Sequence, residues 1–465
     1  MVTVTSYGAA QTVTGSCHLL KIGAIKILID CGIFQGDGES ERNYAPFGFN
    51  PSEIHYLVLT HAHLDHVGRV AKLVKDGFNG EIISTNATRD IVKIMLLDSA
   101  GILLEDYKNA RKKARRRGDE ESVLEPLYSK KDVKEVFEKR WKSLEYFEDH
   151  KLKQHIKLSL GNAGHIMGSA FAIIDYQEQN TQKRIVFSGD LGSPERMVID
   201  THDKIDEADA LFIESTYGDR IHKSLQESVE EFKEAVISTL KNKGNVLIPS
   251  FALERTQEIL WLLHEMHDNG ELPKCRVFLD SPLAIKATKL YNKYTTHLSD
   301  EVQYRPKSGT DPFSFAWLEP TTTRDQSMAI NEVEKKAIII AGSGMCNGGR
   351  IMHHLKHRLW NPKNSIIFVG YQAEGTLGRK IVDGAESVKI YNDDIISKAK
   401  IYTINGFSAH ADQKELIDWI RPVKNIKKLF LIHGEAQKME TFANVIKSEL
   451  GHESHIMEFG VPWSI

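Results

Sequence analysis

Thiol chemistry is sparse in this chain. Its four cysteines, Cys17, Cys31, Cys275 and Cys346, are scattered over 465 residues without a C-x-x-C pair, so neither a disulfide framework nor a thiolate zinc site is signalled. Long apolar runs are missing as well. None approaches the roughly 18 residues of a membrane span, and the opening MVTVTSYGAA carries neither the charged nor the apolar block of a signal peptide. The expectation is a cytoplasmic protein in a reducing compartment, with no membrane partner. Net charge is also scarce: 60 Lys+Arg against 63 Asp+Glu leave −3. A polyanionic partner would have to be held by a local basic patch or by metal rather than by the global field. Internal repeats and low-complexity tracts are absent.

What is present is a long globular pattern. With 41% hydrophobic and 26% charged residues, a chain of this length can bury more than one core and should divide into domains. β-Branched runs predict strands over 25–30, 56–60, 81–85, 171–175, 184–188 and 210–214, alternating with helical stretches. From 219 to 398 the style changes to longer helices, over 224–240 and after Pro249, separated by short strands over 245–248, 276–279, 337–341 and 365–370. Strand patterns over 400–404 and 428–433 then resume the first style. The expected fold class is α/β with one domain interrupted by another: residues 1–218 and 399–465 around an insert of 219–398.

One stretch concentrates metal-capable side chains. LTHAHLDHVGR puts His61, His63, Asp65 and His66 within six residues, immediately after an apolar strand and before a helix starting near Val67. A strand-to-helix loop is where a rigid scaffold carries functional groups. His61 and His63 alternate as in extended chain while Asp65 and His66 lie just beyond, so two pairs can serve two neighbouring metal positions. Imidazole and carboxylate without thiolate suit zinc, with manganese or iron as alternatives. Six residues cannot close two sites alone. His165 in GNAGHIMGSA, Asp190 in FSGDLG and His433 in FLIHGE each flank a strand and sit beside glycine, which lets backbone come close to a metal.

HAHLDH with His165, Asp190 and His433 resembles the metal motifs of the metallo-β-lactamase fold, and Asp30 in ILIDCG resembles its early supporting aspartate. Glu214 in FIESTYGDR and His410 in INGFSAHAD match the two extra motifs of the β-CASP nucleases. PSFALERTQE, DSPLA, AGSGMCNGGR and GYQAEGTLGR are similar to that family's cap domain. The resemblance spans nearly the whole chain and is nearest to prokaryotic proteins similar to the endonuclease subunit of the cleavage and polyadenylation specificity factor. It implies an αββα sandwich with an inserted α/β cap. It further implies two Zn²⁺, or Mn²⁺ in their place: His61, His63 and His165 on one metal, Asp65, His66 and His433 on the other, and Asp190 bridging them. A shared hydroxide would attack a phosphodiester. Asp65, Glu214 and His410 are then the catalytic candidates, with His410 as acid steered by Glu214.

Histidine at the last motif favours RNA within that family. The chain carries neither the C-terminal domain typical of ribonuclease J nor the KH modules of archaeal relatives, so the expectation is a compact endonuclease on single-stranded RNA, with 5′-exonuclease activity and homodimerisation left open. The alternative is a small-molecule hydrolase of the same fold, a lactonase or thioesterase. Glycine-rich turns feeding helices mark Ser343, Thr376, Arg379 and Ser408 as phosphate-binding candidates, against a reading as helix caps. The basic run KNARKKARRR over 108–117 is either an RNA-contacting helix or a solvated face. MHHLKH (His353, His354, His357) has the i, i+4 spacing of a metal site, but no nearby carboxylate in the sequence supports one.

Overall fold

The computed structural model describes residues 2–36, 38–304 and 311–465. The chain forms two compact units. The first comprises Met1–Pro194, Thr201–Ile221 and His410–Ile465, and the second Glu195–Asp200 and His222–Ala409.

Two seven-stranded sheets build the first unit. One runs in the order Pro462–Ser464, Val2–Ser6, His18–Ile22, Ile25–Ile29, Tyr56–Val58, Glu81–Ser84 and Trp141–Ser143. The other runs Ser454–Ile456, Lys428–Ile432, Ala210–Glu214, Thr181–Phe187, Ala170–Glu178, Lys157–Asn162 and His150–Lys151. Alternate side chains of the second sheet enter two different cores, as a two-residue strand period requires. Ile185, Phe187, Phe212, Phe430 and Ile432 join Leu20, Ile27, Ile29 and Val58 of the first sheet. Val186, Leu211, Ile213, Leu429 and Leu431 pack on the other side with residues of the helices Gln413–Ile420 and Ala436–Leu450. Burial on both faces is why these strands read as unbroken apolar runs rather than alternating ones. Phe212 is stacked between Phe187 and Phe430, with ring centroids 4.3 and 4.6 Å away.

The second unit is built on a wholly parallel six-stranded sheet, in the order Leu318–Pro320, Arg276–Leu279, Ala337–Ala341, Val246–Pro249, Ser365–Phe368 and Lys400–Thr403. Two expected boundaries are corrected by it. Lys400–Thr403 does not return to the first domain at 399. It pairs parallel with Ser365–Phe368, so the second unit runs on to Ala409. A four-residue β-branched strand reads the same in either sheet, and only the open edge of Ser365–Phe368 decides where it goes. Residues 195–200, expected within 1–218, also join the second unit, through an Ile199–Leu298 bridge and the Ser299 amide on the Val198 carbonyl. The four cysteines are all free thiols.

Removing the middle ring of the Phe187–Phe212–Phe430 stack leaves a cavity that neighbours from both sheets cannot fill. Phe212→Ala is expected to destabilise the first unit by about 3–5 kcal/mol, seen as a lowered denaturant midpoint with little change in slope.

Candidate metal centre

Strand direction explains why distant residues meet. Ile25–Ile29 and Tyr56–Val58 run parallel in one sheet, and Thr181–Phe187, Ala210–Glu214 and Lys428–Ile432 run parallel in the other. Lys157–Asn162 shares the latter direction, being antiparallel to the strand that is itself antiparallel to Thr181–Phe187. Asp30, His61, His165, Asp190, Glu214 and His433 therefore all lie at or just after carboxyl ends of strands, the edge where open α/β sheets place ligands. His61 and His63 are in extended chain, whereas Asp65 and His66 ride on one helical turn, Leu64–Val67.

The side chains converge in two groups. His61, His63, His165 and Asp190 have ligand-type atoms all within 4.8 Å of one another, as do Asp65, His66, Asp190 and His433. In the first group, His63 Nδ1 is 3.1 Å from both His61 Nε2 and His165 Nε2. In the second, His66 Nε2 is 3.2 Å from His433 Nε2. Asp190 divides its carboxylate between them: Oδ2 is 3.5 and 3.6 Å from His61 and His165, and Oδ1 is 3.2 Å from His66 Nε2. Burial pushes His61 well below the usual imidazole value and His63 down to about 4, so both present neutral lone pairs. Burial opposes charge on Asp190 and His66 too, yet His433 and His66 hold Asp190 well below the carboxylate range, while Asp190 and Asp30 hold His66 well above its own.

Buried partners aim these rings. Asp30 accepts from the Thr60 amide at 2.8 Å and contacts His66 Nδ1 at 2.7 Å. The Thr60 hydroxyl lies 2.9 Å from Asp30 Oδ2 and 3.1 Å from His61 Nδ1. Thr216 Oγ1 lies 3.0 Å from His433 Nδ1 while donating to the His433 carbonyl at 3.2 Å. His61, His66 and His433 thus engage a partner through Nδ1 and turn Nε2 inward, whereas His63 turns Nδ1 inward. Thr60 and Thr216 were not identified from sequence, because threonine beside a motif histidine carries no signal of its own. Ser16 and His18 were also missed; Ser16 Oγ reaches Asp30 at 3.3 Å. Gly32 is required sterically: a Cβ there would sit 1.5 Å from the Asp65 carbonyl oxygen, and the Cys31 amide bonds the His66 carbonyl at 2.8 Å.

Beside these groups stands a third, Asp190, Glu214 and His410. Glu214 is buried and accepts from the Leu191 amide at 2.7 Å. His410 Nδ1 is 3.2 Å from both of its carboxylate oxygens. Burial disfavours a charged His410, yet Glu214, then Asp190 and Asp65, push it up to about 9.

Comparison with known proteins accords with this geometry. Residues 11–240 match the metallo-beta-lactamase superfamily, 256–381 the Beta-Casp domain, and 394–457 the Zn-dependent metallo-hydrolase RNA specificity domain. "Ribonuclease TTHA0252" of Thermus thermophilus is 39% identical over 98% of each chain. The chain belongs to the metallo-β-lactamase superfamily, in its β-CASP branch. Other relatives include "Transcription termination factor FttA" of Methanocaldococcus jannaschii, 31% identical over 97% of this chain and 70% of its own. The "RNase J-like protein" of the same organism is 30% identical over 96% of each. A crystal structure of a protein of unknown function from Enterococcus faecalis V583 superposes over the full length of both chains with a TM-score of 0.55 and 12% identity, a likeness of fold alone.

The donor set fits the zinc named by the family description. The 3.1–3.2 Å nitrogen separations approach the roughly 3.3 Å edge of a tetrahedron with Zn–N bonds of about 2.0–2.1 Å. His66 and His433 face each other through Nε2 atoms, a pairing a cation relieves. Asp190 Oδ1 is buried without a hydrogen bond, which a cation also answers.

The phosphate candidates of this β-CASP chain have local partners. Thr376 caps the helix Leu377–Val382, Ser343 Oγ accepts from the Asn347 amide at 3.1 Å, and Arg379 pairs with Asp383 at 2.8 Å. The Ser408 carbonyl accepts from Arg196 Nη1 at 3.2 Å. The turns carrying Ser343 and Thr376 are tied together by the Gly378 amide on the Met345 carbonyl. Contrary to the sequence expectation, a carboxylate does reach MHHLKH: Asp280 meets His354 Nε2 at 2.7 Å. It also binds Arg350, Thr321 and Ser327, and no metal-type cluster includes these histidines among the described residues. The basic run ends the helix Asn86–Arg115, exposed, with Arg111 and Arg115 at 3.4 and 3.5 Å from Glu120.

Asp30→Asn keeps every converging donor but weakens the acceptor that orients His66. Metal affinity, measured by competition with a chromogenic chelator, is expected to fall roughly 10–100-fold, while Arg379→Ala leaves it unchanged.

Proposed function

We propose that this protein is a zinc-dependent endoribonuclease that hydrolyses single-stranded RNA to 5′-phosphate and 3′-OH ends in the cytoplasm. The observation that carries the reading is the Glu214–His410 pair beside Asp190. The two imidazole clusters account for binding metal; a small-molecule hydrolase would leave this additional pair and the inserted unit without a task. The name of the Thermus relative supports RNA as the substrate class. No helix among the described residues is long and apolar enough to cross a membrane.

In this reading His61, His63 and His165 hold one ion, Asp65, His66 and His433 the other, and Asp190 both. Two bound zinc ions would supply an activated water near neutral pH and draw charge from the phosphate oxygens. Asp65, with its side chain 23% exposed, and His63 are the half-buried members of the donor set, the rest being buried. Water rather than the ribose 2′-OH attacks, which fixes the product ends. The departing ribose oxygen needs a proton, because an alkoxide leaves poorly. His410 gives its Nδ1–H to Glu214 and keeps Nε2–H for that oxygen. Glu214 above all, with Asp190 and Asp65 adding to it, raises His410 to about 9, so the ring holds the proton that a general acid donates.

Seven donors with one shared carboxylate imply two zinc equivalents per chain by elemental analysis. Asp190→Asn is expected to lose metal and activity together; a wild-type protein retaining one equivalent or fewer after zinc addition contradicts the two-metal reading.

The acid role has a sharper test. A general acid matters in proportion to the basicity of the leaving group, and p-nitrophenolate needs no proton at neutral pH. His410→Ala should keep both metals and much of its turnover of a p-nitrophenyl phosphodiester, while RNA cleavage falls on the order of a hundredfold. His433→Ala should lose metal and damage both reactions. Equal slowing of the two substrates by His410→Ala with metal retained would make His410 a phosphate-positioning group.

A further inference from the structure

The second unit has a built cavity at the sheet edge opposite the one that carries Ser343. It measures about 460 Å³ and is lined by residues that precede the strands Val246–Pro249, Ala337–Ala341 and Ser365–Phe368 and by the end of the helix Ile351–Arg358. Arg358 lines it at only 4% exposure. Its Nη2 donates to the carbonyls of Ile330 at 2.5 Å and Val333 at 3.4 Å, while Nε and Nη1 are buried with no acceptor. Burial pushes this guanidinium down to about 10. A buried arginine without a carboxylate partner is costly to the fold and rare unless an anion answers it.

The surroundings add to that charge instead of cancelling it. Lys243, Lys335 and Lys363 are exposed around the cavity, and none of the three forms an ion pair among the described residues. Glu334 is the sole carboxylate lining it. His357 is held low by burial and then by Arg358 and Lys356, as a positive field requires. One further feature says that a bare anion does not complete the site. Trp360 is 54% exposed, yet its Nε1 donates to the His357 carbonyl at 2.9 Å, so the indole is held as a fixed aromatic surface.

We propose that this cavity is a nucleotide-binding site, separate from the metal centre. The charge of Arg358 and of the lysine ammonium groups receives the phosphate, and Trp360 stacks the base. The volume suits one small ligand, and a cationic wall with a fixed aromatic face is the combination that grips nucleotides irrespective of sequence. The same chemistry is offered by a free nucleoside monophosphate or by one nucleotide of an RNA strand. The assignment does not depend on the reading of His410.

The test is calorimetric titration of the zinc-loaded protein with AMP, adenosine and inorganic phosphate, in the wild type, in Trp360→Ala and in Lys335→Gln/Lys363→Gln. These side chains are exposed, and melting temperature and nitrophenyl ester turnover should not change. The wild type is expected to show an AMP site, tighter than for adenosine or phosphate, that each variant weakens roughly tenfold or more. A parallel rise in KM for RNA identifies the ligand as part of the strand; an unchanged KM identifies a free nucleotide. Equal AMP binding in all three proteins overturns the proposal, as does phosphate binding as tightly as AMP with no effect of Trp360→Ala.

Discussion

Asp190 offers one carboxylate oxygen to each of two imidazole clusters, and the arrangement around it follows from the cost of keeping that charge out of water. Oδ1 is buried without a hydrogen bond, with the rings of His66 and His433 beside it and those of His61 and His165 beside Oδ2. Each imidazole is useful only if its inward nitrogen bears the lone pair. Asp30, Thr60 and Thr216 settle that by engaging the outward nitrogens. The His410–Glu214 pair draws on the same field, since Asp190 stands 3.9 Å from His410 Nδ1.

The fold supplies these contacts through a rule of direction. Strands from both sheets of the first unit end at one edge, and their buried interiors hold those ends in place. The Phe187–Phe212–Phe430 stack lies just before Asp190, Glu214 and His433 in three adjacent parallel strands, so packing in the core fixes the spacing of chemistry at its rim. Backbone strain is present there too. Asp30 and His433 adopt positive φ of 60° and 51°, a conformation costly for non-glycine residues and tolerated where surrounding structure enforces it. The second unit shows the same polarity, with Ser343 and Asp280 following strand ends and the Arg358 cavity at the opposite edge.

Much of this was legible in the amino-acid order. HAHLDH announced a metal-type loop because six residues cannot separate in space, and His165, Asp190 and His433 stood out because glycine and an apolar strand flank each. The strand runs and the α/β class followed from periodicity, since burial on both faces leaves a local signature. The boundaries of the insert did not: 400–403 and 195–200 joined the second unit because pairing with Ser365–Phe368 and Leu298 is settled by an open sheet edge, which no local pattern records. Thr60, Thr216, Ser16 and His18 were equally invisible, as was the carboxylate of Asp280 against His354, 74 residues away. Sequence by itself determined which side chains could bind metal and which segments would be strands, because both depend on residue type and near-neighbour spacing. Only tertiary structure decided which oxygen of Asp190 faces which imidazoles, which nitrogen of a ring is held by a partner, and that Arg358 is buried with no carboxylate against it among the described residues, because those depend on distances between residues that the chain order leaves free.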